Sequence, residues 1–186
     1  IFVAKLDSSG NWLWAKQAGG TNDDKCYGIA IDSSGNSYVT GYFSVTATFG
    51  DTELTSSGNN DIFVAKLDSG GNWLWAKQAG GTGADVGYSI TIDSEGNSYV
   101  TGYYMSSPAT FGNTNLTSSG GADIFVAKLD SDGNWKWAKK AGGNDYEHGY
   151  GIATDSSGNS YVTGYFGGTA TFGNTNLTSS GYDDIF

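Results

Sequence analysis

Apolar and polar positions alternate along this chain in short bursts of six or seven residues. Tyr27-Gly-Ile-Ala-Ile-Asp32 sets Tyr27, Ile29 and Ile31 on one face and Gly28 and Ala30 on the other, which is the period-two pattern of a strand. Residues 37–43 follow as a second strand with aromatic or branched side chains on both faces, and residues 62–68 and 72–78 give a third and a fourth. No window carries apolar residues at i, i+3, i+4 and i+7 over three turns, so helix is not expected. In the fourth strand the site of Leu13 and Leu74 becomes Lys136, which turns that face to water. By alternation the opposite face, with Trp12, Trp14, Trp73, Trp75, Trp135 and Trp137, is the structural core.

The same four strands recur. IFVAKLDSSGNWLWAKQAGG opens at Ile1, returns at Ile62 with one change and at Ile124 with three, and begins again at Ile185. A period of this length marks supersecondary units that share a core across their boundaries. Residues 1–19 hold the C-terminal half of one unit, 20–81 and 82–143 a unit each, and 144–186 the N-terminal part of a unit running into the next repeat. Six turns share Asp-x-x-Gly-Asn, beginning at Asp7, Asp32, Asp68, Asp93, Asp130 and Asp155. The aspartate accepts hydrogen bonds from the turn backbone and the glycine takes the left-handed conformation, so each closes a hairpin. The stretch between second and third strands is expected to extend the second strand or add a short fifth.

Four-stranded antiparallel units with aromatics on both faces are what propeller blades require, because each blade is sandwiched between two others. The small-residue face of the first strand suits the crowded position nearest the axis. The chain is thus expected to be all-β, an array of propeller blades, with linear stacking as a β-solenoid or fibre as the alternative. At GYGIAIDSSGNSYVTGYF in part, and at DIFVAKLDSSGNWLWAKQAGG nearly throughout, the sequence resembles the bacterial β-propeller repeat family called SBBP, over essentially the whole chain. That resemblance implies a secreted or surface-displayed repeat, often one module of a longer protein, with no catalytic residues to transfer. Residues 1–17 are positioned to complete the blade begun by residues 150–172. Two whole blades fall short of the roughly 4 to 8 that close a ring, so two chains associate, further copies continue the array, or the units stack linearly.

Nine lysines, no arginine and 19 acids give a formal charge of -10, a field that repels nucleic acid and anionic headgroups. No apolar run approaches the roughly 20 residues of a spanning helix, so membrane insertion is not expected. Cys26 has no second cysteine to pair with and reads as a small side chain in a variable turn. His148 is the only histidine and reads as a solvated turn residue. Neither a triad nor a repeated carboxylate pair stands out, so no catalytic residue, cofactor-binding residue or metal ligand is assigned and the chain is not expected to be an enzyme. Calcium is the one cofactor weighed: at the Asp-x-x-Gly-Asn turns, where turn chemistry already accounts for the residues, and then at the acids Asp23, Asp24, Asp85, Asp145 and Glu147, taken as exposed. Asn115-Leu-Thr117 and Asn176-Leu-Thr178 are glycosylation sequons on what reads as a surface connection.

The leading functional expectation is an extracellular or cell-surface scaffold, structural or adhesive, acting through self-association of repeat faces or edges. The alternative is carbohydrate binding through the loops where the copies disagree, residues 21–26, 82–87 and 144–149 together with 44–46, 105–108 and 167–169.

Overall fold

In the computed structural model, which describes every residue from 1 to 186, the chain is all-β and contains no helix. Strands β1 (Phe2–Leu6) and β2 (Trp12–Gln17) form a two-stranded sheet. The first four-stranded blade follows in the order β3 (Lys25–Ile31), β4 (Ser37–Phe43), β7 (Asp61–Leu67), β8 (Trp73–Ala79), with the hairpin β5 (Thr46–Phe49) and β6 (Thr52–Thr55) between its second and third strands. The second blade repeats this with β9 (Asp85–Ile92), β10 (Ser98–Tyr104), β13 (Asp123–Leu129) and β14 (Trp135–Ala141), and the hairpin β11 (Ala109–Phe111) and β12 (Thr114–Leu116). A third sheet holds β15 (His148–Thr154), β16 (Ser160–Phe172) and β17 (Thr175–Ile185).

The Asp-x-x-Gly-Asn turns hold their hairpins by one repeated network. In the turn from Asp68, Oδ1 accepts from the backbone N–H of Gly70 and Asn72, and Oδ2 accepts from the Asn72 amide. The backbone closes the same loop, Gly71 N–H donating to the Asp68 carbonyl and Asp68 N–H to that of Asn72. The turn glycines sit at φ near 80°, a conformation that penalises any Cβ. These aspartates are therefore saturated by their own turns, and their pKa values are lowered, for Asp68 chiefly by the Asn72 amide.

The connection between second and third strands takes two forms, short added strands in the first two units and an extension of the second strand in the third. In all three units it reaches onto the preceding blade, Thr48 exchanging backbone hydrogen bonds with Gly19, Thr110 with Gly80 and Thr171 with Gly142, and in the first two it forms a separate small hairpin. In the third unit β16 and β17 run through this stretch as one long hairpin, with a register shift between Gly167 and Thr169. The N-terminal pair does not complete the blade of β15 to β17. β1 pairs only with β2 and packs, through Val3, on the face of the first blade opposite the second, whereas β15 lies beyond the second blade. The stack thus has two distinct ends that do not meet.

Two apolar clusters account for the core, and each lies between sheets rather than within one. The first unites Val3, Trp14 and Ile1 of the N-terminal pair with Val39, Phe43, Phe63 and Leu67 of the first blade. The second joins Tyr38, Ile62 and Val64 of the first blade to Ile90, Val100, Phe111 and Phe125 of the second. Large buried side chains on both faces of a blade follow from this arrangement.

Two stability measurements test the turn analysis. Gly71 is at positive φ and a Cβ added there would lie 2.9 Å from the Trp14 ring, whereas at Gly10, with the same φ, a Cβ would meet open space. Gly10→Ala is expected to cost about 1 kcal/mol from backbone strain alone, and Gly71→Ala distinctly more, by urea denaturation. Because the folded-state pKa of Asp68 is lowered, its stabilisation is present above the ordinary value of 3.8 and is lost as pH falls through the lowered one. Asp68→Asn is accordingly expected to flatten the acid limb of the stability curve.

Candidate functional site

The surfaces with chemistry to offer are the blade junctions and the inner strands. At the junctions the indoles act in opposed pairs, because the outer hairpin of every unit carries a one-residue bulge. Lys66 opposes Trp75 and Leu67 opposes Trp73, so Leu74 is the extra residue, and Leu13 and Lys136 occupy the same place. The bulge turns the extra residue to solvent, in keeping with the Leu-to-Lys exchange, but it also breaks the alternation between the two tryptophans. Trp73 packs edge-on against Phe49 toward the preceding sheet. Trp75 packs against Tyr38 toward the following blade and donates its indole N–H to the Ser131 carbonyl. From the other side of that junction Trp135 donates to the Gln78 carbonyl of the first blade.

The six tryptophans are therefore not one buried face. Five are half-buried clamps shared between the two faces of their sheets, and Trp12, which points toward a side where no sheet lies, is 69% exposed.

A second bulge shapes the inner strands. Tyr27, Tyr88 and Tyr150 are each the unpaired residue opposite β4, β10 and β16, and the bulge re-aims them so that they meet. The Tyr27 and Tyr88 rings lie 5.3 Å apart and those of Tyr88 and Tyr150 5.0 Å apart. Gly28 permits this approach: a Cβ there would come within 3.0 Å of the Tyr88 carbonyl. His148 belongs to this lining rather than to a solvated turn. It opens β15 and stacks on Tyr103 at 4.1 Å and 10°, and burial pushes its pKa down to about 4.

Cys26 is likewise in a strand, not a turn, because β3 begins one residue earlier. It packs against the first apolar cluster, and burial pushes its pKa up to about 11, so it is a poor nucleophile at neutral pH. Of the acids taken as exposed, Asp23 and Asp145 are so, Asp24 is half-buried, and Asp85 and Glu147 are fully buried. Burial has a simple cause: these carboxyls bind the backbone that links one blade to the next, Asp85 accepting from Gly81 N–H and Glu147 from Gly143 N–H. No three His, Cys, Asp or Glu side chains come together in a metal-binding group. Asn115 and Asn176 are exposed on β12 and β17, each accepting a threonine hydroxyl, from Thr110 and Thr171.

The first face of the stack is where sequence and environment part company. Ile29 is 56% exposed, while Ile90, at the same place in the next unit, is 6% exposed beneath the first blade. Beside Ile29 an open groove of about 560 Å³ runs between β3 and β1, lined by Phe2, Leu6, Trp12, Tyr27 and Ile29 among others. Ten of its 13 lining residues are hydrophobic, so the groove is chemically an uncovered blade face.

Repetition of a meander blade, stacked through both faces with its first strands gathered, agrees with the β-propeller repeat whose family pattern matches residues 13–42, 74–103 and 136–165. The chain belongs to the SBBP β-propeller repeat family. Each match spans the last strand of one blade and the first two of the next, that is, the junction itself. Among curated proteins this SBBP chain is similar to an uncharacterized WD repeat-containing protein of Acanthamoeba polyphaga mimivirus, at 29% identity over 140 residues, or 68% of this chain and 10% of that protein. It is also similar to the regulatory protein FlaEY of Caulobacter vibrioides, at 30% identity over 138 residues, or 72% of this chain and 14% of that one. The SBBP array thus spans a small part of both relatives. A solved protein of unknown function from Bacteroides caccae superposes with a TM-score of 0.31 at 12% identity, covering 91% of this chain and 64% of the other.

The junction indoles provide a test. Trp75→Phe keeps the ring packing and removes one hydrogen bond across the junction, and is expected to cost about 1 kcal/mol. Trp12→Phe, at an exposed site, is expected to leave the urea midpoint within error.

Proposed function

We propose that this SBBP array is a non-catalytic extracellular scaffold whose blades bind further copies of the same repeat. The observation that carries the reading is the contrast between Ile29 and Ile90: one side chain, in one repeat position, open on the first face and covered at the internal junction. The groove between β1 and β3 has the chemistry of a surface that elsewhere in this molecule is covered by a pair of inner strands. At the far end, β15 and β16 are such a pair, with Tyr161, Tyr182 and Ile185 exposed around them. Pairing one copy's far end with another's first face is a heterologous contact, which propagates as a filament or closes as a ring. Covering one isoleucine of this kind contributes about 2 kcal/mol, and several lie on the face. Acid-rich surface and exposed sequons at Asn115 and Asn176 support an extracellular or cell-surface setting, with the sequons as glycan attachment points.

A second reading draws on the tyrosine lining. Tyr27 and Tyr150 are half exposed and present ring faces of the kind on which sugars stack. A glycan array distinguishes the two, since a scaffold shows no saturable, sugar-specific binding.

Light scattering after size exclusion is expected to find the purified chain in dimers or longer assemblies that dissociate on dilution. Ile29→Asp and Leu6→Lys, both at exposed sites, are expected to shift it to monomer by tenfold or more in midpoint concentration with the circular dichroism spectrum unchanged. A wild-type chain that stays a compact monomer at high concentration overturns the proposal.

A further inference from the structure

The linker between one blade and the next is gripped by two buried carboxyl groups, one from each blade. At the first complete junction these are Asp61, which opens β7, and Asp85, which opens β9. Both converge on Gly80: a Cβ on that glycine would lie 2.7 Å from Asp85 Oδ2 and 3.0 Å from Asp61 Oδ1. At the second junction Asp123 and Glu147 converge on Gly142 in the same way. All four acids are almost fully removed from water.

Their hydrogen bonds are unequal. Asp85 is well supplied, with Met105 and Ser106 N–H on Oδ1, and the Ser106 hydroxyl and Gly81 N–H on Oδ2. Asp61 Oδ2 accepts from Ser57 N–H, while its Oδ1 is buried without any partner. At the second junction Asp123 Oδ1 and Glu147 Oε1 are both buried without one. The charged and titratable groups facing these pairs are few. Tyr103 and Tyr104 are the titratable neighbours of Asp85. At the second pair Lys140 stands 3.7 Å from Asp123 Oδ2, the Tyr104 hydroxyl donates to that same oxygen at 3.3 Å, and Asp145 and Tyr165 lie near Glu147. No cation lies within salt-bridge distance of Asp61, Asp85 or Glu147.

Two like charges buried side by side, with oxygens that nothing satisfies, are unfavourable by both desolvation and repulsion. One proton relieves both. It removes a charge and converts an orphaned acceptor into a donor beside the neighbouring carboxylate, across the same linker glycine. We infer that at each complete junction one carboxyl, Asp61 or Glu147, stays protonated and donates to its partner on the adjoining blade, forming a latch between blades that rising pH releases. In agreement, burial, aided by the charge of Asp85, pushes Asp61 up to about 6, and burial with Asp123 and Asp145 nearby pushes Glu147 up to about 7.

The direction of the pH effect follows. A carboxyl whose folded-state pKa is raised contributes its full stabilisation below its ordinary value, 3.8 for Asp61 and 4.5 for Glu147, and loses it as pH rises toward 6 and 7. The turn aspartates act oppositely below this window, and half-buried His148, pushed down to about 4, acts oppositely within it up to 6.5, so the latch is read as the difference between the wild type and variants that all keep His148.

The test is urea denaturation of the whole chain from about pH 4.5 to 7.5, for the wild type, Asp61→Asn, Glu147→Gln and the double variant. The carboxamides keep a donor without a charge. Relative to the double variant, the wild type is expected to lose folded-to-unfolded ratio by on the order of tenfold per pH unit for each latch, each single variant to lose less, and the double variant to gain stability up to the ordinary histidine value of 6.5 because half-buried His148 resists protonation. A double variant that declines as steeply as the wild type overturns the inference. So does the restoration of wild-type stability at neutral pH by added calcium chloride when the double variant does not respond, since the oxygens would then hold a cation. Carboxyl carbon shifts followed by NMR across the same range need no variant. Two carboxyls titrating near 6 and 7 are expected, and titration of every carboxyl below roughly 5 overturns the latch.

Discussion

Everything in this molecule depends on burying both faces of a small sheet at once. A four-stranded meander of this length cannot enclose a core of its own, and its side chains are large and apolar on both sides. Each blade is therefore stable only between two neighbours, and the apolar clusters duly lie at the junctions. Where a neighbour is missing, side chains that the repeat would bury stand in water, as Ile29 and Trp12 do. Fold and proposed role are thus two expressions of one need: covering an internal face makes the array, and covering a terminal face makes an assembly.

The strands and turns were legible because their signals are local. Alternation marks the strands, and Asp, Gly and Asn at fixed offsets leave the turn backbone few alternatives. What escaped the sequence is what alternation cannot express. A bulge adds one residue without any composition of its own, and it moved Trp73 and Trp75 to opposite faces while a strict period-two reading put them on one. The same device, at Tyr27, Tyr88 and Tyr150, gathered the inner tyrosines.

The buried acids were hidden for a different reason. Asp61 and Asp123 open strands in the most regular part of the repeat, where an aspartate reads as a solvated flank, and Asp85 and Glu147 fall in a stretch that otherwise varies between copies. The available signal was that a carboxyl persists at that position in all three units, as Asp24, Asp85 and Glu147, while its neighbours change. Only their meeting in space shows them to be a pair, since one comes from each side of a blade boundary.

The small hairpin that folds back onto the preceding blade has a further consequence. The spacing between copies is 61 residues in one interval and 62 in the next, and the added residue falls between Tyr104 and Phe111, in the bend that leads into β11. That bend behaves as an expansion joint: it takes up a change in chain length while the strands on either side keep their places. Because Met105 and Ser106 in this bend also supply Asp85 at the junction, a graft that enlarges the rim of the array and spares its stacking belongs at exposed Ser107.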